Sequence, residues 1–512
     1  MKHRVWVGVL FSGVLFGLSV SGFDLSLLAW ICLVPALVSA SSLAPKGVFA
    51  RGLAAGFLAG IILWYQLWTG LVKMTGSTVI SALFTSCLCA FFAVWFAAAL
   101  VVMRLAAGIV PGRTDRLWHV PMRCVLGGAA WVGAELVYTR LFILAGLPFV
   151  PTLGYSQWAH PAVIQVAALT GVYGISFVIV VANVAVGSAI ASRRMRPLLI
   201  PLLAVCSVIL CGMARLRFAP DPEPSRTLRA AALQGDIGPF EKMDPAALNR
   251  IGGRYVALCG DAAEAGSRLV VWSETAVPWR VIDEDALITE VLRTTASAQS
   301  VHVVGAAMKA PNIPGRVLNA ALLVHPDGLI SAMYAKMRII PFAERPLRIP
   351  GLLPSGMSHP SRTPLAPGQG LDPIHAPFGL LGVNICNETF FPSHVRRGVA
   401  NGAELIVHLA NTGWFRWRNM LRRHLRCNVL RAVETGRDSV VANNSGISAI
   451  VDAYGRVRAE APPFTPVCLT GTVSLRSRRT VYVRFGDGFA VGCLGLTGLA
   501  LVAHWVRRRR VA

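Results

Sequence analysis

The sequence predicts a multi-pass α-helical membrane bundle joined to an α/β domain outside the membrane. Of the 512 residues, 54% are hydrophobic and only 14% are charged, whereas a soluble globular protein is about 25% charged. The acidic residues are also unevenly distributed, because residues 1–214 contain three of them and residues 215–512 contain 22. The first part therefore has the composition of a chain in lipid, and most of the second has that of a chain in water.

Eight apolar segments are long enough to cross a hydrocarbon core about 30 Å thick. They lie at 5–22, 25–43, 50–71, 78–102, 124–146, 161–191, 197–214 and 486–506. The first begins with basic residues like a signal peptide, but six further spans follow it without a cleavage-site pattern, so we expect it to remain as a helix. The expected organisation is a seven-helix bundle at 1–214, an extramembrane domain at 215–485, an eighth helix at 486–506 and a basic tail at 507–512.

Positive charges predict the orientation, because Lys and Arg are enriched in cytoplasmic connections. One set of connections carries most of them, namely Lys2, Arg4, Lys46, Arg51, Arg104, Arg113, Arg116, Arg123, Arg193, Arg194, Arg196 and Arg507 to Arg510. The opposite connections carry only Lys73 and Arg140. Both termini are therefore expected in the cytoplasm and residues 215–485 on the other side. These basic residues account for much of the net charge of +24. Because the charge is explained by membrane orientation, it does not indicate nucleic-acid binding.

We expect the polar and sulfur-containing side chains in the apolar segments to have structural roles and not to bind a cofactor. Glu135 lies within a predicted span, where we expect it to form a structural hydrogen bond. Seven of the eleven cysteines sit in or beside apolar runs, and the other four show no CxxC spacing. Because there is also no phosphate-binding glycine loop, we expect neither a metal nor a cofactor.

Between 215 and 485, short β-branched segments alternate with helical ones, as in an α/β domain. Eight strands are predicted, at 228–233, 269–272, 301–306, 320–325, 380–386, 405–409, 439–443 and 449–452. Helices are predicted at 244–266 and 416–436, and hairpin turns at Pro326-Asp327-Gly328 and Ala453-Tyr454-Gly455. The proline-rich stretch 345–367 has no periodicity, so we expect either a lid that touches lipid or a plain surface loop.

Three segments of this domain each place a reactive side chain at or after a strand. Glu274 follows the strand at 269–272, Lys336 follows Tyr334-Ala335, and Cys386 ends the strand that begins at 380. Ligands and catalytic groups in α/β sheets gather at the carboxyl ends of strands. Each residue alone would be ordinary, but their occurrence together in this order predicts an active site with a cysteine nucleophile.

These positions resemble the Glu-Lys-Cys triad of the nitrilase superfamily. With the bundle included, the chain resembles the membrane-anchored branch of that superfamily, the bacterial apolipoprotein N-acyltransferases. The further matching motifs are Gly154-Tyr155-Ser156-Gln157, 171–177 with Asn183, Gln234-Gly235-Asp236-Ile237, Asn411 with Trp414-Phe415, His424, Arg431-Ala432 with Glu434, Asn443-Asn444-Ser445-Gly446, and Thr480, Tyr482 and Arg484. The resemblance implies a nitrilase-like αββα sandwich seated on the bundle, on the periplasmic side of the bacterial inner membrane.

The resemblance also implies the reaction. Cys386 would take an acyl chain from a phospholipid as a thioester, then pass it to the N-terminal α-amine of the diacylglyceryl-cysteine of an apolipoprotein. Glu274 would accept the thiol proton, Lys336 would stabilise the oxyanion, and Glu344 and Glu388 would support the site. The implied partners are therefore a phospholipid donor and a diacylated apolipoprotein acceptor.

Several positions depart from the family pattern and leave the substrate open. Met243 replaces an expected tryptophan and Asn387 an expected aromatic residue, so these two and Trp414 are candidates for substrate gating. Thr412 replaces an acidic residue, and arginines replace the Pro and Gln that commonly precede His424. The alternatives are a membrane-tethered amidase that uses water, an acyltransferase for another amine and, more remotely, a non-catalytic transporter or scaffold.

Overall fold

The computed structural model describes residues 2–40, 43–75, 77–107, 119–147, 151–195, 198–220, 223–238, 241–276, 290, 293–294, 298–311, 313–341, 344, 365–415 and 417–511. Its fold class is the one predicted, with apolar helices in the N-terminal part and an α/β domain of two six-stranded sheets after them. Most of the segment expected to be a lid or a surface loop, 345–364, lies outside the described residues.

The helices of the N-terminal part are α1 (Lys2–Val20), α2 (Val34–Ala40), α3 (Pro45–Thr75), α4 (Thr78–Ala107), α5 (His119–Leu144), α6 (Pro161–Ile164), α7 (Ala167–Thr170), α8 (Val172–Ser192) and α9 (Leu199–Arg217). The later helices are α10 (Leu248–Glu264), α11 (Pro392–Ala400), α12 (Arg418–Thr435), α13 (Val481–Phe485) and α14 (Gly488–Val511). Within the described chain, five helices are long and apolar enough to cross a membrane, and they correspond to α3, α4, α5, α8 and α14.

Two of the apolar segments are not continuous helices. Segment 25–43 forms a 3₁₀ helix at Ser26–Trp30 followed by the short α2, and segment 161–191 is divided into α6, α7 and α8. The last division falls at Gly171, whose φ of +67° lies in the left-handed region that favours glycine. Apolar composition therefore indicated where apolar helices form, but not where they are interrupted.

Glu135 lies inside the bundle and forms the structural hydrogen bonds expected from the sequence. Its Oε1 accepts the indole N–H of Trp131 at 2.9 Å and the backbone N–H of Leu153 at 2.8 Å. The side chain is only 1% exposed. Glu135 thus ties α5 to the chain segment that leads towards α6.

The strands of the α/β domain are β1 (Thr227–Gln234), β2 (Leu269–Val271), β3 (Val301–Lys309), β4 (Val317–Val324), β5 (Ile330–Ala335), β6 (Ile374–Ala376), β7 (Gly379–Ile385), β8 (Leu405–Ala410), β9 (Ser439–Asn443), β10 (Ala449–Val451), β11 (Val457–Glu460) and β12 (Val467–Ser474). One sheet has the order β12-β1-β2-β3-β4-β5 and the other β11-β10-β9-β8-β7-β6. The strands β1, β2 and β3 are parallel, as are β7, β8 and β9.

The two sheets pack face to face and are covered by helices, which gives four layers. Between the sheets, apolar side chains such as Val271 of β2 and Val383 of β7 belong to one buried cluster. On the outer face of the first sheet, Tyr255 of α10 packs in a second cluster with residues of that sheet. Helices α11 and α12 pack on the other sheet. This is the αββα sandwich implied by the resemblance.

All eight predicted strands are present, and both predicted turns close hairpins, β4–β5 and β10–β11. Four further strands, β5, β6, β11 and β12, were not predicted. All four lie at the edges of the two sheets, and β5 and β11 contain several exposed residues. An edge strand has one neighbour instead of two and is less buried, which weakens the apolar signal on which the strand prediction depends.

Helix α12 joins the α/β domain to the bundle. Its Glu434 accepts the backbone N–H of Val172, the first residue of α8, at 3.0 Å. Arg431 donates to the hydroxyl of Tyr155 at 3.0 Å and pairs with Glu434 at 2.8 Å. One buried apolar cluster continues from Phe16 of α1 into the domain, where it includes Val441 of β9.

Candidate active site

The fold brings the three predicted reactive residues to neighbouring strand ends. Glu274 follows β2 and Lys336 follows β5 in the first sheet, while Cys386 follows β7 in the second. Strand β5 runs in the same direction as β2, because β3 is parallel to β2 and two antiparallel pairings lead from β3 to β5. Glu274 and Lys336 therefore lie at the same end of their sheet, where the carboxyl ends of β2 and β5 are.

Lys336 lies between two carboxylates at the centre of this cluster. Its Nζ is 3.1 Å from Oε1 of Glu274 and 2.5 Å from Oε1 of Glu344. The side chain is fully buried. Burial alone would lower the pKa of Lys336, but the negative charges of Glu274 and Glu344 raise it well above its usual value. Lys336 is therefore an ammonium ion at neutral pH.

Glu274 is held by two donors that bind the same carboxylate oxygen. Lys336 donates to Oε1, and the amide Nδ2 of Asn319 donates to it at 2.8 Å. The backbone carbonyl of Asn319 also accepts the backbone N–H of Lys336 at 2.8 Å. Because both described side-chain bonds go to Oε1, the second oxygen, Oε2, remains to receive a proton.

Cys386 lies at a sharp turn between β7 and the 3₁₀ helix Cys386–Phe390. Its φ of +53° is in the left-handed region, which costs a non-glycine residue roughly 1–3 kcal/mol and is typical of functional sites. Burial and the charge of Glu274 raise the pKa of the thiol well above its usual value, although Lys336 lowers it. The resting sulfur is thus a thiol, and a base must remove its proton before attack.

Glu344 completes the cluster on the far side of Lys336. Its Oε2 accepts the backbone N–H of Ile340 at 2.9 Å, while Oε1 accepts from Lys336. Burial raises the pKa of Glu344, and Glu274 adds to this, although Lys336 opposes it. The cluster therefore contains two carboxyl groups that share one ammonium ion as their counter-ion.

Glu388 connects the segment after β5 to the segment after β7. Its donors are the backbone N–H groups of Ile385, Met337 and Arg338, at 2.7, 2.7 and 3.1 Å, and the hydroxyl of Tyr334 at 2.8 Å. Burial would raise the pKa of Glu388, but His394 and these hydrogen bonds lower it to about 2. Glu388 thus holds the Lys336 and Cys386 segments together as a buried carboxylate.

We expect Glu388→Gln to lower the stability of the folded state by roughly 3 kcal/mol at pH 7. The pKa of Glu388 is about 2 in the fold and about 4.3 in an unfolded chain, so its carboxylate stabilises the fold above pH 4.3. This contribution is lost as the pH falls through 4.3 towards 2. Denaturant unfolding of the detergent-solubilised protein between pH 2 and 8 measures it. The exposed Glu460 provides the control, Glu460→Gln; equal losses in the two variants would contradict the prediction.

Two residues of the site were not identified from the sequence. Asn319 is a buried polar side chain in the apolar strand β4, and its isolation among apolar residues was a signal that could have been used. Lys242 is 4% exposed, and its Nζ donates to the backbone carbonyls of Glu274 and Thr275 at 3.3 and 2.9 Å. Nothing in its local sequence separates it from a surface lysine.

The proposed gating positions have different settings. Asn387 is buried and its amide donates to the carbonyl of Arg338 at 2.8 Å. Trp414 is partly exposed on the loop after β8, whereas the side chain of Met243 lies outside the described residues. Thr412 is buried, and its hydroxyl donates to the carbonyl of Gly446 at 2.7 Å.

Gly305 of β3 allows the chain after β2 to approach closely enough to place Glu274. A Cβ on Gly305 would lie 2.1 Å from the carbonyl oxygen of Ser273 and 3.0 Å from the nitrogen of Thr275. We expect Gly305→Ala to displace Glu274 by about 1 Å and to slow the site's chemistry about 100-fold. The rate at which an acyl ester modifies Cys386, followed by mass spectrometry, measures this. Gly253→Ala is the control, since a Cβ there meets nothing within 4 Å; an unchanged rate in Gly305→Ala would contradict the prediction.

The described part of the chain contains no group of three or more His, Cys, Asp or Glu side chains that could hold a metal ion. The chemistry available at this site is that of a thiol, a carboxylate able to take a proton and an ammonium ion, all in one buried cluster. That set suits acyl transfer through a covalent thioester.

Comparison with known proteins relates both parts of the chain to described families. The sequence model for "Carbon-nitrogen hydrolase" matches residues 229–482, and that for "Apolipoprotein N-acyltransferase N-terminal domain" matches residues 12–185. The apolipoprotein N-acyltransferase of Geobacter metallireducens is 31% identical over 100% of this chain and 96% of that protein. The apolipoprotein N-acyltransferase of Chlorobaculum tepidum is 28% identical over 98% and 96%.

Among solved structures, the chain is similar to a carbon-nitrogen hydrolase from Helicobacter pylori G27 and to an amidase from Nesterenkonia sp. The first is 17% identical with a TM-score of 0.37, and the match covers 49% of this chain and 90% of the hydrolase chain. The second is 18% identical with a TM-score of 0.39, and covers 54% and 98%.

Proposed function

Because this chain belongs to the apolipoprotein N-acyltransferase family, and is therefore a membrane enzyme of lipoprotein N-acylation, we propose a role for each residue of its site. Cys386 carries the acyl group as a thioester between a phospholipid donor and the N-terminal α-amine of a diacylated apolipoprotein. Glu274 moves the proton and Lys336 stabilises the oxyanion. Glu344 and Glu388 are positioning residues.

The observation that carries this proposal is the position of Lys336 between two carboxylates beside Cys386. Its Nζ has three N–H bonds, and two of them are directed to Glu274 and Glu344. The third remains for the oxygen of a tetrahedral intermediate formed at Cys386. A buried, permanently charged donor of this kind stabilises an oxyanion more strongly than it would in water.

In the first half-reaction, the sulfur of Cys386 attacks the ester carbonyl carbon of the phospholipid while Oε2 of Glu274 takes the thiol proton. The carbon–oxygen bond to glycerol then breaks, and Glu274 returns the proton to the leaving oxygen. The products are a thioester on Cys386 and a lysophospholipid. This order follows from the raised pKa of the thiol, which makes the base necessary.

In the second half-reaction, the α-amine of the acceptor attacks the thioester carbon. Glu274 takes a proton from the attacking nitrogen and gives it to the sulfur that leaves, so Cys386 is regenerated as a thiol. An α-amino group has a pKa of about 7.7–8.0, so a useful fraction is neutral at neutral pH. The products are an amide and the free enzyme.

We also propose a membrane arrangement that fits these lipid substrates. The bundle at 1–214, the α/β domain at 215–485, the helix at 486–506 and the tail at 507–512 would place both termini in the cytoplasm and the domain in the periplasm. The basic connections support this orientation. In this arrangement Met243, Asn387 and Trp414 are our candidates for the residues that gate substrate entry.

A two-stage experiment tests the proposal. The purified enzyme is incubated with phospholipid alone, and Cys386 is examined for an acyl adduct by mass spectrometry. A synthetic diacylated lipopeptide is then added. We expect the adduct to disappear as triacylated lipopeptide forms in equal amount. Release of free fatty acid without a triacylated product would instead support a membrane-tethered amidase, and failure of any adduct to form would exclude the thioester.

A further inference from the structure

A cavity of about 40 Å³ lies where the α/β domain meets the bundle, next to the segment that carries the nucleophile. Its wall includes Leu63, Trp64 and Tyr155 of the bundle and Phe390, Arg423 and Arg426 of the domain. Phe390 ends the 3₁₀ helix that begins at Cys386. The cavity is therefore largely apolar, but two arginines from the N-terminal half of α12 form part of its wall.

Arg426 is a buried cation with unused donors. It is 3% exposed, and its Nη1 donates to the carbonyl of Val20 at 3.2 Å. Its Nε and Nη2 are buried and have no hydrogen-bond partner among the described residues. A buried charged group with unsatisfied donors is costly, which indicates that a ligand supplies the missing acceptors.

Arg423 adds a second positive charge from the preceding turn of α12. It donates to the backbone carbonyls of Ser21 and Leu63 at 3.2 and 2.7 Å, and its guanidinium lies 5.7 Å from the centre of the Trp64 ring. Within the described chain neither arginine forms an ion pair. The nearby carboxylate of Asp24 pairs with Arg422, although its charge also acts on Arg426. Burial accordingly lowers the pKa of Arg423 to about 9 and that of Arg426 to about 10.

We infer that Arg423 and Arg426 form a subsite for the phosphodiester anion of the donor phospholipid, an inference that rests on the proposed function. The planar guanidinium fork matches phosphate oxygens in geometry and charge. The apolar walls suit the glycerol and the first methylene groups of a lipid. The acceptor offers an amine at its reacting end, which two arginines repel in its protonated form, so the subsite serves the donor.

The subsite is connected to the reacting groups through His424. The ring of His424 packs against that of Phe390 with centroids 4.6 Å apart, and it is close enough to Glu274 and Lys336 to interact with their charges. In a phospholipid, the phosphate and the acyl esters are carried by one glycerol unit. A phosphate held beside Phe390 therefore keeps the ester near the segment that leads to Cys386. Arg423 is one of the arginines that replace Pro and Gln before His424. This subsite therefore includes a residue at which the chain differs from the family pattern.

The test separates phosphate recognition from acyl transfer by using two acyl donors. Full-length wild type, Arg423→Gln and Arg426→Gln are given either phosphatidylglycerol in mixed micelles or p-nitrophenyl palmitate, which has no phosphate. Thioester on Cys386 is measured by mass spectrometry. We expect KM for phosphatidylglycerol to rise roughly tenfold or more in each variant, with unchanged thioester formation from the nitrophenyl ester. Arg418→Gln, at an exposed position in the first turn of α12, is the matched control.

Binding of a dialkyl-ether phosphatidylglycerol, which has no ester to cleave, gives a readout that does not depend on catalysis. It is followed by the amount of radiolabelled ether lipid that the purified protein retains, and we expect binding to weaken about tenfold in Arg426→Gln and to recover in part in Arg426→Lys. If Arg426→Gln aggregates on gel filtration, Arg423→Gln, which is partly exposed, decides the comparison.

The outcomes distinguish the subsite from the proposed reaction. Wild-type KM and wild-type ether-lipid binding in both glutamine variants would overturn the subsite. Inorganic phosphate that bound as tightly as the ether lipid would also overturn it, because the arginines would then hold a free anion. If the ether lipid bound in an Arg426-dependent manner while no thioester formed from either donor, the subsite would stand and the thioester mechanism would fail.

Discussion

Replacement of Cys386 by alanine is expected to reduce acyl transfer by a factor on the order of 10⁴ or more, because the proposed reaction has no other covalent carrier. Cys386 lies at the end of β7 with a left-handed φ, beside Glu274 and Lys336. The alanine variant keeps the backbone and both charged neighbours. It should therefore fold normally and still bind lipid.

The measurement is the rate of conversion of a diacylated lipopeptide to the triacylated form by detergent-solubilised protein. Cys386→Ser is expected to be nearly as inactive, since a serine hydroxyl is a much weaker nucleophile than a thiolate. Cys468→Ala, which removes a partly exposed thiol from β12, should be as active as the wild type. Substantial transfer by Cys386→Ala would mean that the acyl group passes directly from donor to acceptor.

Lys336→Met is expected to reduce both activity and stability. The loss of the oxyanion donor should lower kcat by a factor of about 10²–10³. Without the ammonium ion, Glu274 and Glu344 become two buried carboxyl groups that share one cluster, and removal of one partner from a buried ion pair typically costs about 3–5 kcal/mol. We therefore expect a large fall in the midpoint of denaturant unfolding at pH 7.

The pH dependence of Lys336→Met should have a definite sign. Two neighbouring buried carboxyl groups without a cation raise at least one pKa above its unfolded value of about 4.3. A carboxyl whose pKa is raised in the fold binds more protons there, so stability is retained at low pH and lost as the pH rises above 4.3. Unfolding curves at several pH values between 4 and 8 measure this loss.

The double variant Lys336→Met/Glu344→Gln is the matched comparison, because it removes one of the two carboxylates. We expect it to recover much of the stability at pH 7 and none of the activity. If Lys336→Met were instead as stable as the wild type at every pH, the ion-pair cluster would contribute nothing to folding. If the double variant recovered activity, Lys336 would not be the oxyanion donor.

The sequence predicted the strands that are buried on both faces better than those at the edges. Runs such as those of β2 and β8 are fully buried and almost entirely apolar, with His408 as the exception, because they lie between the facing sheet and the covering helices. Strand β11 alternates partly buried and exposed residues and includes Arg458 and Glu460. Such a strand forms because its neighbours pair with it, and this information is not local.

The same distinction explains what could be predicted of the site. Glu274, Lys336 and Cys386 were recognised because the three occur together in a known order, and because Glu274 and Cys386 lie at the ends of predicted strands. Asn319 and Lys242 act through distant parts of the chain, since they contact Glu274 from 45 and 32 positions away. The pairing of Lys336 with two carboxylates is likewise a product of the fold, and only the structure gives its distances.

The joint made by α12 limits how this enzyme can be divided or recombined. A carboxylate from the α/β domain, that of Glu434, accepts the first backbone N–H of α8, and the apolar interior passes from one part to the other without a break. A catalytic half expressed alone would expose this apolar surface and leave Arg431 without the hydroxyl of Tyr155. Chimaeras between relatives should therefore succeed only when α12 and the start of α8 come from the same parent, as a single inherited unit.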